Sequence, residues 1–149
     1  MTTSTSAHDL AAAHARNEEA WRRSSELLYA GDIDRFMTYW CPDARYEAAL
    51  PVPGLPPVIT GSADLRAAFA GLVAGARSIA VHDVRFHQTD DPDVALVEER
   101  MVAELHDGGR YENRLAIRVT FREGLIAEML EYYGQFAQAD LMRRLGVSA

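Results

Sequence analysis

From Asp9 to about Ala30, the residues Leu10, Ala13, Asn17, Ala20, Trp21, Ser24, Leu27 and Leu28 fall along one stripe of a 3.6-residue period. That pattern predicts a helix capped by Asp9 and stopped by Gly31. Asp32 then caps a short second helix, in which Ile33, Phe36, Met37 and Trp40 follow i, i+3, i+4, i+7 spacing until Pro42 ends it. From Asp43 the period changes to two: Tyr46, Ala48 and Leu50 alternate with Arg45, Glu47 and Ala49, as in a half-buried strand. Pro51, Pro53, Pro56 and Pro57 make the next segment a stiff loop at the end of the sheet, because proline donates no ladder hydrogen bond. Ser62 caps a third helix with Leu65, Phe69, Leu72 and Val73 on its buried stripe. Strands follow at about 78–88, 94–106, 110–122 and 125–134, joined by DDPD, DGG and REG turns. Phe136 to Leu145 reads as a terminal helix closed by Gly146.

Helices first and strands afterward indicate an α+β fold, a curved antiparallel or mixed sheet with three N-terminal helices packed on its concave face. The 149 residues suit one domain, here residues 9–146, preceded by an unstructured segment at 1–8.

Side chains alternate across a strand, so each strand divides into an apolar inner face and an outer one, and polar residues on the inner face need a reason to be there. In 78–88 the face carrying Ala80, Val84 and Phe86 includes His82. In 94–106, Glu99 sits among Ala95, Val97, Met101, Ala103 and Leu105; a one-residue bulge would bring Glu98 in instead. In 110–122, Tyr111 and Asn113 lead Leu115, Ile117, Val119 and Phe121, opposite a row of Arg110, Glu112, Arg114, Arg118 and Arg122. In 125–134, Glu131 shares a face with Leu125, Ala127, Met129 and Tyr133.

A curved sheet capped by helices leaves a concave site at its open end, where Tyr46, His82, Glu99, Tyr111, Asn113 and Glu131 can converge with Trp40 and Met129 as apolar lining. A carboxyl in apolar surroundings has its neutral form favoured, which brings its pKa toward neutrality and suits it to acid/base work. Glu131 is the first candidate, with His82 or Glu99 assisting and Tyr46, Tyr111 and Asn113 orienting a substrate oxygen. The structural alternative for Glu131 is a buried ion pair with an arginine of the first helix.

Composition narrows the classes. A formal net charge of −7 disfavours nucleic acid and anionic membranes as partners, and the pairs Arg22-Arg23 and Arg143-Arg144 read as solvated helix edges. One cysteine, Cys41, excludes an internal disulfide. His82 and His87 stand five apart with no second ligand cluster, so no metal site is expected, and no phosphate-binding or dinucleotide glycine motif occurs. The apolar runs are too short to cross a bilayer and the Thr/Ser-rich start is unlike a signal region, which gives a cytoplasmic expectation.

The segment LLYAGDIDRFMTYWCPDARYEAALP, followed after the loop by ITGSADLRAAF, resembles the front half of SnoaL-like and ketosteroid isomerase-like proteins of the nuclear transport factor 2 superfamily. The later DVRFHQTDDPDVALVEE, GRYENRLAIRVTFREGLIAEMLEYYGQF and LMRRLG resemble the small phenazine-biosynthesis members most. The resemblance implies a cone-shaped fold, a homodimer, a pocket without cofactor for a small-molecule substrate, and a last-strand glutamate acting as acid/base, a position Glu131 occupies. Tyr111 and Asn113 match the YEN segment that lines the pocket in that subgroup. Ala48 stands where the isomerase has its general base, Ser24 where it has an oxyanion-binding tyrosine, and Ala116 where it has a protonated aspartate. The phenazine-type helix histidine and serine fall near Ala68 and Leu72. The implied chemistry is therefore cyclisation, isomerisation, dehydration or epoxide opening in natural-product biosynthesis, with a non-catalytic small-molecule binder and a dimeric interaction module as the alternatives.

Overall fold

In the computed structural model, which describes residues 6–147, the sheet is organised around the strand with the most regular alternation. The elements are α1 (Ala7–Tyr29), α2 (Ile33–Met37), β1 (Trp40–Ala48), β2 (Val58–Thr60), α3 (Ser62–Ala74), β3 (Ala76–Gln88), β4 (Val94–Leu105), β5 (Arg110–Arg122), β6 (Leu125–Tyr133) and α4 (Gln135–Arg144). Along β5 every second residue from Tyr111 to Phe121 is buried, while Glu112, Arg114, Ala116 and Arg118 are exposed. A strand with one wet and one dry face can pair on both edges and still accept helices on only one side.

The sheet has six strands in the order β2-β1-β6-β5-β4-β3 and does not close. All neighbours are antiparallel except β1 and β6, which run parallel, so the sheet is mixed. The helices cover the dry face. Asn17 anchors α1 by donating from its side-chain amide to the Pro92 carbonyl (2.8 Å) at the β3–β4 turn. At the other end, Phe36 of α2, Trp40 of β1 and Phe69 of α3 meet edge-on or tilted, with ring centroids 4.9–5.8 Å apart.

Several boundaries differ from the sequence expectation for local reasons. α1 begins at Ala7, because Ser6 and not Asp9 is the cap: Ser6 Oγ accepts from the Asp9 N–H and donates to the Asp9 carboxylate. Ala7 and His8, expected to be unstructured, are therefore helical, and residues 1–5 lie outside the described ones. α2 stops at Met37, and Trp40 and Pro42 belong to β1; Pro42 is exposed where the register with β6 shifts between Trp40 and Arg45, a place where its missing N–H costs little. α3 is capped by Gly61 at φ 90°, a conformation that favours glycine, with Ser62 already helical. Leu72 and Leu50, expected inward, are exposed, and the short edge strand β2 follows the proline loop unforeseen. Among the described residues no helix is long and apolar enough to cross a membrane.

Leu65 on α3 is 0% exposed, at the centre of the helix layer. Leu65→Ala is expected to lower the unfolding free energy by about 2–5 kcal/mol, read from the midpoint of a urea titration. A loss well below 1 kcal/mol would mean that α3 does not belong to the cooperative core.

Candidate acid/base site

Backbone register places the two inward carboxylates on neighbouring rungs of the dry face. Glu99 pairs with Leu115, and Leu115 with Tyr133, so Glu99 and Tyr133 flank the same β5 residue. One rung along, Val97 pairs with Ile117 and Ile117 with Glu131, whose other neighbour is Ala48 of β1. As whole residues Glu99 is 5% exposed and Tyr133 6%, and Glu131 and Tyr46 are half-buried.

The central contact is a hydrogen bond. The Tyr46 hydroxyl donates to Glu131 Oε1 at 2.8 Å, and Glu131 forms no ion pair among the described residues. The arginine partner considered for it is absent because every arginine lies on the outer face or the solvent side of a helix; Arg22 and Arg23 pair with Glu18 and Glu26 along α1 itself. Those α1 side chains line a shallow surface depression away from the inward acids. Burial without a counter-ion pushes the Glu131 carboxyl up to about 7, with the Tyr46 hydrogen bond pulling the other way. Glu99 is pushed up to about 7 by burial and, second, by the charge on Glu131. Tyr46 is raised far above the usual phenol range by burial and then by Glu131, so it remains a donor at any working pH. One oxygen of Glu131 is thus held by a neutral hydroxyl, and the carboxyl can take or give a proton near neutrality.

Tyr29, the last residue of α1, was not foreseen. Its hydroxyl is raised well above the phenol range by burial and then by the charges of Glu99 and Glu131. It sits one residue past Leu28 on the flank of the apolar stripe, so helical periodicity gave no reason to point it inward. Ser24, on the stripe, bonds back to the Trp21 carbonyl instead (2.9 Å).

His82 is a correction. It is exposed, because β3 carries a register shift between His82 and Arg85 with Asp83 at φ 56°. Before the shift Ile79 and Val81 turn inward, and after it Val84 and Phe86 do, so Ala80 and His82 face solvent. A second shift, between Thr120 and Phe121, makes Ile126 rather than Leu125 or Ala127 the buried residue at the start of β6; from Met129 onward the expected face holds.

Tyr111 and Asn113 are inward, but their polar atoms are occupied. Asn113 receives the Gly134 N–H (2.7 Å), donates to the Gly134 carbonyl (3.1 Å) and donates to the Tyr111 hydroxyl (2.6 Å). Tyr111 donates in turn to Gln138 Oε1 of α4 (2.7 Å), and burial pushes its hydroxyl up to about 12. Asn113 therefore ties β5 to the turn entering α4. Trp40 is buried in the aromatic cluster with its indole N–H unpartnered, and Met129 is buried on the rung of Tyr46.

Comparison with known proteins follows from this architecture. The model of the SnoaL-like domain matches residues 21–129. Similar solved structures include an isomerase candidate from Bacillus subtilis (15% identity, TM-score 0.80, covering 91% of this chain and 96% of that one). A phenazine biosynthesis-related protein from Pseudomonas aeruginosa aligns at 20% identity and TM-score 0.76, over 95% of this chain and 92% of that one. An epoxide hydrolase/cyclase-like enzyme of pyran ring formation in the polyether salinomycin aligns at 17% identity and TM-score 0.70, over 83% and 94%. At these identities the likeness is one of fold. The search of curated proteins gave no match.

The raised carboxyls have a thermodynamic sign. Between the ordinary carboxyl value of 4.5 and about 7, the folded state holds protons that the unfolded chain has released, so these groups make stability fall as pH rises through that window. Glu99→Gln removes one of the two penalties. Its urea midpoint should match wild type near pH 4 and exceed it near pH 8, by up to roughly 3 kcal/mol in unfolding free energy. Parallel stability curves across that range would contradict the assignment.

Proposed function

The chain belongs to the SnoaL-like domain family, and from that premise we propose that it is a cytoplasmic, cofactor-independent acid/base enzyme of natural-product biosynthesis. It acts on a small cyclic, partly apolar substrate by cyclisation, isomerisation, dehydration or epoxide opening. The observation that carries this reading is the Tyr46–Glu131 pair: a carboxyl at about 7, held on one oxygen by a hydroxyl donor and free of any cation. An ion-paired carboxylate would stay charged and be a poor proton carrier; this one changes charge near neutrality. Glu131 moves the proton, Tyr46 fixes the carboxyl and stabilises its charged form, and Glu99 modulates it from the next rung. That the fold's similar structures include isomerase and cyclase-type proteins supports the reaction class.

The proposed enzyme is a homodimer through the outer face of the sheet. Leu96, Leu130, Ala116 and Tyr132 lie there on two adjacent rungs of β4, β5 and β6, and Leu96 and Tyr132 are each 47% exposed amid the arginines. Light scattering should give twice the chain mass, and Tyr132→Glu should give the monomer; an unchanged mass in that variant would place the contact elsewhere.

Activity is tested with cyclohex-3-enone for isomerisation and cyclohexene oxide for ring opening, followed by proton NMR. Glu131→Gln should fold normally and lower turnover by about 10² or more, and Tyr46→Phe by less. A rate that rises with pH through about 7 marks Glu131 as base and one that falls marks it as acid; either inflection should vanish in Glu131→Gln. Wild-type turnover in Glu131→Gln would sink the assignment.

A further inference from the structure

Every arginine of this protein lies outside the site. All 15 basic residues are arginines, and none is buried; the two that are half-buried, Arg45 and Arg100, pair on the outer face with Glu47 and Glu128 and with Asp83 and Glu112. Of the histidines, His8, His82, His87 and His106 are exposed. His14 lies one turn before Asn17, which α1 pins at the β3–β4 turn, away from Tyr29 at the opposite end of the helix.

The inner side is the reverse. Glu99 has an oxygen, Oε2, that is fully buried and meets no donor, and the Tyr133 hydroxyl across Leu115 is likewise buried and unpartnered. Of the titratable groups around this pair, Glu131 of β6 acts on both Glu99 and Tyr133, Tyr29 of α1 senses Glu99, and Tyr46 of β1 and Tyr111 of β5 sense Tyr133 and Glu131. From α2, α3 and β3 only apolar side chains face inward: Phe36, Leu65, Phe69, Val81 and Phe86 among them. A buried carboxylate oxygen is complemented by a cation or by a donor, and Glu99 forms no ion pair among the described residues.

We propose that the Glu99 end of the site receives an organic cation, the protonated amine of a cyclic substrate, held by Glu99 and the Tyr133 oxygen while Glu131 and Tyr46 face the remainder of the ring. The proposal deepens the acid/base reading, on which it rests for the role of Glu131, by naming the group the substrate carries. It also makes Glu99 the residue that sets specificity, rejecting carboxylate substrates by like charge in a site without a compensating arginine.

Three probes of one shape separate the possibilities: benzylamine, benzyl alcohol and benzoate, bound to the full chain near pH 8 and followed by calorimetry or ligand-observed NMR. Benzylamine should bind at least about tenfold tighter than the other two. Glu99→Gln should bring the amine down to the level of the alcohol without weakening the alcohol. In wild type, amine affinity should fall as pH drops from 8 to 6, because Glu99 takes up a proton while the amine keeps its own, and alcohol affinity should not. Equal or tighter binding of the alcohol or benzoate, no binding of any probe, or an amine preference that survives Glu99→Gln overturns the proposal. Should that variant fail to fold, the wild-type ranking and its pH dependence decide. These readouts involve no turnover, so their failure leaves the Glu131 assignment standing, and loss of that assignment leaves amine binding measurable.

Discussion

A sheet that is dry on one face and wet on the other imposes the constraint on which the remainder of this molecule depends. β5 sets it, with an unbroken alternation over 13 residues, and β4 and β6 inherit it through in-register pairing on both sides. Once the helices cover the inner face, an arginine placed there would lose its hydration with no return, so the basic residues gather outside, where Arg100, Arg110 and Glu112 or Arg45, Arg118 and Glu128 form linked surface pairs. What remains inside is a set of uncharged polar groups and the carboxyls.

That segregation explains why the acids titrate near neutrality. A carboxylate in a core normally recruits a guanidinium, and its pKa falls; here the guanidinium groups lie on the far side of the sheet that buries Glu99 and Glu131 or on the solvent side of the helices. Positioning is then a matter of backbone and uncharged groups. Asn113 clamps Gly134, Tyr111 reaches Gln138, and together they hold α4 against the end of β5, which fixes the neighbouring Tyr133 and the last rung of β6. The site is stiffened by neutral hydrogen bonds that do not compete for its protons.

The sequence made the long elements legible, because β4, β5 and most of β6 follow a period of two without interruption; hence Glu99, Glu131, Tyr111 and Asn113 were correctly read as inward. It misled wherever one residue was added to a strand. The extra residue sits at Asp83, a residue type depleted in strands and tolerant of a positive φ, but a single aspartate does not by itself locate a bulge, and this one turned His82 from inside to outside. Tyr29 was hidden for a different reason: its place depends on where α1 ends over the sheet, a tertiary fact that helical periodicity does not encode. The hydrogen-bond partners of Asn113 and Tyr111 were not legible because inwardness says nothing about which partner a polar atom finds, and Gly134 and Gln138 lie at the entry to α4 and on it, more than twenty residues further along the chain. The parallel pairing of β1 with β6 follows from the chain path through α3 and three hairpin strands, which strand patterns alone leave open.

The exclusive use of arginine has one more consequence, for chemical self-protection. A chain without lysine offers no side-chain amine to condense with aldehydes or ketones, and its single thiol, Cys41, is only 3% exposed. Guanidinium groups are poor nucleophiles because they keep their proton. Reactive carbonyls therefore meet no side-chain amine on this chain, and electrophiles that favour thiols meet only a covered one.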